Sequence, residues 1–263
     1  MTEQIKSHPK SFEVSKWFGP QTAQVMLPDD GLEALVNMTD DIIKNKKSKS
    51  HGQSLAGVID KELKIYKQDM IEYGFDQLLE SCVKSYVIHC AKQHGMYKDN
   101  YVTETNVNSA WVVSQFANEY NPIHNHTGCE ISGVIYLKVP DVKGRRNLQS
   151  KKGKTDSDGD ISFVYCTASQ RNQDIFEKGL VQITPTPGLM LMFPSYLGHT
   201  VYPFIGEGER RCVAFNASYR IVDPSGEDYQ TIEKGKRATA NIVAGNMYGV
   251  KNYYFYFDEK PNE

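Results

Sequence analysis

Apolar positions along this chain change period part-way through. Behind Pro28 and Asp29, the residues Leu32, Leu35, Val36, Met38, Ile42 and Ile43 recur at helical spacing over 30–46, which predicts an amphipathic helix with a good start signal. Over 68–94, Ile71, Phe75, Leu78, Leu79, Cys82, Val83, Tyr86, Val87 and Cys90 fall on one face and Gly95 follows as a stop, so one long helix is expected, its apolar stripe lying on something. Between them, 44–57 is rich in Lys, Ser and Gly and reads as an exposed loop.

After Tyr101 the texture becomes short runs of β-branched and aromatic residues punctuated by Pro, Gly, Asn and Asp: 110–116, 131–139, 161–166, 180–183, 189–193, 199–204, 211–219 and 252–257. Strands that follow a helical block, rather than alternate with helices, predict a mainly β protein, a double-sheet jelly roll or barrel with N-terminal helices packed on one outer face. We expect a single domain over 1–263, with 1–100 a helical support region and 101–263 the β core. The mouth of such a barrel is a usual ligand site.

Composition narrows the classes. With 30 Lys plus Arg against 32 Asp plus Glu, the chain lacks the basic surplus that displaces counterions from nucleic acid. No apolar run approaches the length of a membrane span, and the opening MTEQIKSHPKSFEV has no apolar signal core; a cytoplasmic protein is expected. Cys82, Cys90, Cys129, Cys166 and Cys212 are odd in number and widely spread, so they read as reduced, mostly buried thiols. The stretch 143–154 is basic, with Arg145 and Lys152 among its cations, and turns acidic at Asp156, Asp158 and Asp160. It reads as a solvated hairpin loop or a substrate-gripping lid, and it lacks the Gly and Glu of a calcium loop.

Chemistry concentrates in three segments. His124 and His126 stand in NPIHNHTGCEISGVIYL, before an apolar strand, and His199 stands in FPSYLGHTVYPF, after another. In extended backbone, residues i and i+2 point the same way, so the pair can present two imidazoles to one point, and neutral imidazole ligates Fe, Zn, Cu and Ni. An H-x-H pair standing alone is more often two surface or hydrogen-bonded histidines. The added feature is Arg210, opening RRCVAFNASYR, which is expected on an antiparallel strand adjacent to the third histidine. Its planar fork matches a carboxylate, and a metal beside a buried arginine implies a carboxylate co-substrate bridging the two.

Softer candidates surround these. Tyr136 follows on the strand after H-x-H and is placed to hydrogen-bond a co-substrate carboxylate, or to be a satisfied core tyrosine. Asn216 shares the parity of Arg210, Cys212 and Ala214, and Trp111 and Gln115 share a face of the preceding strand. Glu130, after the second histidine, either joins a cupin-type metal motif or pairs on the rim. Cys129 has no acid and base around it and reads as structural.

These segments, HxH followed by ISGVIYLKVP, then FPSYLGHTVYP and ERRCVAFN, together with WFGP, LPDDGLEALV and HGQSL, resemble the 2-oxoglutarate and Fe(II) dependent oxygenases, in particular a group found in marine bacteria and their phages. The resemblance implies a double-stranded β-helix, a cupin-like jelly roll. It implies Fe(II) on His124, His126 and His199, 2-oxoglutarate as co-substrate on Arg210 with Tyr136 and Asn216 beside it, and dioxygen as oxidant. It implies hydroxylation of a small-molecule or peptidyl substrate. Most such oxygenases carry a carboxylate where His126 stands. Three histidines, two histidines with water, or a site completed by Glu130 are the readings this leaves, and three histidines are favoured. A cupin-like metal or ligand binder, such as a phage accessory protein, is the rival from another class, followed by a cupin dioxygenase or isomerase that does not use 2-oxoglutarate; neither explains Arg210. The aromatic run NYYFYFD is suited to closing the barrel, forming a homodimer face, or both.

Overall fold

A computed structural model of the chain describes residues 9–16, 19–52, 55–140, 158–165 and 179–225. Its four central strands are β4 (Val102–Gln115), β6 (Ile131–Lys138), β9 (Leu189–Pro194) and β11 (Arg210–Val222). They are rich in Val, Ile, Leu and Phe because both their faces are covered. Flanked by β1 (Ser11–Lys16), β2 (Gln21–Met26) and β3 (Lys61–Ile65), they form an antiparallel sheet in the order β1-β2-β9-β6-β11-β4-β3.

Alternation along the strands divides the interior into two layers. On one face Val112, Ile135, Met190 and Val213 pack against α1 (Asp29–Lys44) and α3 (Asp76–Gln93), through Leu35, Met38, Leu79, Val83 and Val87. On the other, Trp111, Tyr136, Leu191 and Cys212 meet a smaller sheet, β5 (Asn121–His124), β10 (Gly198–Val201), β7 (Ile161–Val164) and β8 (Leu180–Ile183), through Ile161, Phe163 and Val201. Each such fully buried side chain contributes about 1.5–3 kcal/mol. Two facing antiparallel sheets with helices on one outer face make the double-stranded β-helix expected from the chain. Gly133 permits the close approach of β6 to its neighbours: a Cβ there would sit 2.2 Å from the Phe215 ring and 2.9 Å from the Leu191 carbonyl oxygen.

Several expectations are corrected. The first hundred residues are not only helical, because β1, β2 and β3 complete the major sheet. The long helix over 68–94 is two, α2 (Lys67–Glu72) and α3, because Gly74 adopts a φ of 70° and the Phe75 amide closes back onto the Met70 carbonyl at 2.9 Å. Gly95, with a φ of 66°, ends α3 as anticipated. Strands β4 and β11 are longer than their apolar runs, and β5 escaped notice. Asp158 and Asp160 are buried rather than solvated. The basic stretch 143–154, Asp156, Cys166 and the aromatic run 252–257 lie outside the described residues. No helix among the described residues is long and apolar enough to cross a membrane.

Candidate metal centre

The minor sheet assembles the histidines. His124 ends β5 and pairs directly with His199 on β10, because adjacent antiparallel residues project to the same side. His126 lies two residues beyond His124, in a loop pinned by its own amide to the Ser195 carbonyl at 2.9 Å and by Ser195 Oγ to the Cys129 carbonyl at 2.7 Å. One potential ligand atom from each of the three histidines lies within 4.8 Å of the others, and no other such cluster of His, Cys, Asp or Glu occurs among the described residues.

Hydrogen bonds fix which nitrogen each ring offers. Nδ1 of His124 donates to the Pro122 carbonyl at 2.7 Å, Nδ1 of His199 to the Leu197 carbonyl at 3.0 Å, and Nδ1 of His126 to Asn216 Oδ1 at 2.8 Å. Every Nδ1 therefore carries the proton, and each Nε2 keeps its lone pair, the arrangement that orients imidazoles for a metal. Asn216 Oδ1 also accepts from Ser132 Oγ at 3.0 Å, which fixes the amide in turn. Burial, then the charge of His124, pulls His126 down to about 4 against the opposing bond to Asn216. Burial, then His124 and His126, pulls His199 down to about 3. Both rings are neutral near pH 7, the protonation state a ligand needs.

Arg210 comes from the other sheet. The expectation of a strand adjacent to that of His199 is corrected: β10 and β11 follow one another in sequence but lie in different sheets, joined across Gly206 and Gly208, both at positive φ. The guanidinium thus faces the histidines across one cleft lined by both. It is 2% exposed, donates from Nε to the Gly159 carbonyl at 3.0 Å, and lies 5.0 Å from the Tyr136 ring centre. Neither Arg210 Nη2 nor the Tyr136 hydroxyl makes a well-formed hydrogen bond. Burial pushes Tyr136 well up, the positive charge of Arg210 opposing it. Two buried donors side by side without an acceptor are what a carboxylate would satisfy. Arg211 is the structural member of the pair: it bonds Glu209 at 2.7 Å and Asp40 of α1 at 2.5 Å.

The remaining candidates sort by position. Trp111 lines the cleft, its ring 6.0 Å from His126 and stacked on His51 at 4.8 Å. Gln115 is fully buried, and its amide donates to the Glu119 and Tyr202 carbonyls, so it braces the cleft rim. Asn216 is turned to His126 rather than to a co-substrate. Glu130 is exposed at the start of β6, its main chain bonded to Ala217 and Ser195, and it stands outside the histidine cluster. Cys129 is half-buried and free, Sγ 4.0 Å from Ser132 Oγ. Sequence reasoning missed Glu62, a buried carboxylate of β3 on the cleft wall; its only signal was a Glu between strand-forming residues.

The double-layer fold brings a histidine triad and a buried arginine to one cleft. Residues 109–216 match the family described as "Putative 2OG-Fe(II) oxygenase". That segment spans the triad and Arg210. No curated protein matches the chain. Among solved structures, a prolyl-4-hydroxylase of Pseudomonas putida is similar at 12% identity, with 75% of this chain and 92% of that one covered and a TM-score of 0.46. A prolyl hydroxylase of Trichoplax adhaerens, in complex with a hypoxia inducible factor oxygen degradation domain peptide, is similar at 16%, covering 84% and 86%, with a TM-score of 0.45. The non-heme alpha ketoglutarate dependent epimerase SnoN from nogalamycin biosynthesis is similar at 10%, covering 75% and 76%, with a TM-score of 0.48.

Proposed function

We propose that His124, His126 and His199 hold Fe(II) through Nε2, that Arg210 and Tyr136 hold the distal carboxylate of 2-oxoglutarate, and that the protein hydroxylates a small-molecule or peptidyl substrate. The observation that carries this reading is the pairing of two features in one cleft: a triad whose Nδ1 protons are all committed, and a buried guanidinium Nη2 and tyrosine hydroxyl that both lack an acceptor. When bound, iron and the keto-acid supply the oxidising power, dioxygen and 2-oxoglutarate giving succinate, carbon dioxide and a hydroxylated carbon.

The chain's own residues bind, orient and exclude water. Three neutral imidazoles leave the metal its full charge, which the dianionic co-substrate neutralises, so His126 in place of a carboxylate makes the dianion the charge balance of the site. Arg210 fixes the far end of that dianion, and the Gly159 carbonyl keeps the guanidinium from swinging away. Phe193, its ring centre 4.9 Å from that of His199, and Trp111 wall the cleft and keep its dielectric low. The described thiols Cys82, Cys90, Cys129 and Cys212 are unpaired, which supports action in the reducing cytoplasm.

The test is an anaerobic titration of Fe(II)-loaded protein with 2-oxoglutarate, following the visible charge-transfer band that a chelating keto-acid produces. A saturable band in wild type that weakens in Arg210→Ala supports the reading. Iron binding without a band moves a cupin-like binder ahead, and failure to bind iron removes the assignment.

A further inference from the structure

β3 places an acidic side chain on the same cleft as the triad. Glu62 pairs with Val113 of β4, Val113 with Cys212 of β11, and Cys212 with Tyr136 of β6. The four side chains form one row across the cleft face of the major sheet, and Glu62 stands at the edge-strand end of it. It is 4% exposed, it lines the cleft with His124, His126, His199 and Arg210, and its Oε1 is buried without a hydrogen-bond partner. No described cation forms an ion pair with it. Arg210 does not serve, because its contacts are Gly159, Cys212 and the Tyr136 ring. Burial, then the charge of Glu119, pushes Glu62 up to about 7.

An unpaired carboxylate is destabilising inside a protein, and one that faces a ligand cleft marks a place where the ligand brings the partner. A neutral hydroxyl or amide would satisfy one oxygen and leave the charge uncompensated; a cation satisfies both. The wall beside Glu62 adds to the case: Trp111, stacked on His51 on one side and facing His126 on the other, spans the distance between the acidic end and the histidines with an apolar surface suited to a short hydrocarbon stem. The cleft wall therefore carries an arginine for an anionic ligand on β11 and, separately, a glutamate on the edge strand β3.

We propose that Glu62 is the specificity-determining anchor for a substrate carrying a protonated nitrogen, an alkylammonium or guanidinium group, whose aliphatic carbons then lie along Trp111 in front of the histidine triad. This inference rests on the oxygenase reading above. Glu62 also repels the anionic co-substrate from the substrate end, so the two ligands cannot exchange places.

The experiment is anaerobic calorimetric titration of the full chain, loaded with Fe(II) and 2-oxoglutarate, using Nα-acetyl-lysine methylamide and its uncharged counterpart Nα-acetyl-norleucine methylamide as probes. In wild type the lysine probe is expected to bind at least about tenfold more tightly, and in Glu62→Gln the two are expected to agree within about twofold. Equal affinities in wild type, or binding of neither, would overturn the proposal without reference to any variant. A lysine preference that survives in Glu62→Gln would overturn the role of this residue. The charge-transfer band, recorded on the same samples, keeps the two readings apart: a normal band with no lysine preference defeats the anchor alone, whereas absence of the band in wild type defeats the oxygenase assignment.

Discussion

His124 and His199 stand opposite one another across the β5–β10 pair, ring centres 4.3 Å apart, so one rung of the minor sheet carries two of the three imidazoles. The metal geometry is thus set by strand register, and a residue lost from this rung cannot be replaced by a neighbour, whose side chain points to the opposite face.

His199→Ala is accordingly expected to abolish stoichiometric Fe(II) binding, measured as bound iron after anaerobic gel filtration, with circular dichroism unchanged. One retained equivalent of iron would remove His199 from the ligand set.

Arg210→Met should spare iron and weaken 2-oxoglutarate. Truncating one partner of a buried charged hydrogen bond costs roughly 2–5 kcal/mol, more than about 30-fold in affinity. The charge-transfer titration reads this directly, and an unshifted midpoint would count against the clamp.

Asn216 acts through His126. Removing its acceptor in Asn216→Ala frees the Nδ1 proton and the ring's rotation, and loss of such a partner costs about 10- to 100-fold in metal affinity. Competition with a chelator measures it. Iron affinity equal to wild type would show that the loop bond to Ser195 orients His126 unaided.

Glu62 gives a pH signature of stability in the protein without substrate. Its folded pKa, about 7, lies above the unfolded value of 4.5, with burial and Glu119 as the causes and no cation opposing them. Below about pH 4 both states hold the proton and Glu62 carries no penalty. As pH rises through 4.5 the unfolded state ionises first, so stability falls until the folded carboxyl ionises near 7. Glu62→Gln should therefore gain on wild type between acid and mildly alkaline pH, by up to about 3 kcal/mol in urea unfolding. A difference that does not change with pH would mean that the carboxylate is already compensated in solution.

Gly133→Ala tests the sheet that carries the cleft. The new methyl would meet the Phe215 ring at 2.2 Å and a main-chain oxygen at 2.9 Å, and such overpacking costs about 1–3 kcal/mol. A thermal midpoint equal to wild type would show that β6 can move away.

The central strands were legible because burial on both faces leaves long apolar runs, and α1 because its stripe is unbroken. The clustering of the three histidines was legible only when the parity of His124 and His126 was joined to the motif resemblance, since H-x-H standing alone favours surface histidines. β3 was not: KELKI alternates weakly, as an edge strand with a partly wet border does, and nothing local says that Glu62 turns inward. Nor could spacing reveal that Arg210 crosses from the opposite sheet, since consecutive strands are usually neighbours and here a turn through Gly206 and Gly208 changes layers. The break at Gly74 was hidden by an apolar stripe that continues on both sides of it. The partner of Asn216 depended on a loop that no periodicity encodes.

Arg210 and Arg211 point to opposite faces of β11, one into the cleft and one into the acidic pocket made by Asp40 and Glu209. A slip of β11 by one position would put Cys212 in the Arg211 site or Glu209 in the Arg210 site, and would turn Cys212, Val213 and the residues beyond them to the wrong layer. Both misplacements are destabilising at once, so the strand has a single acceptable alignment with β4 and β6. The adjacent pair of cations thereby works as a ratchet on folding, and the alignment it enforces is the one that aims a side chain at the histidines.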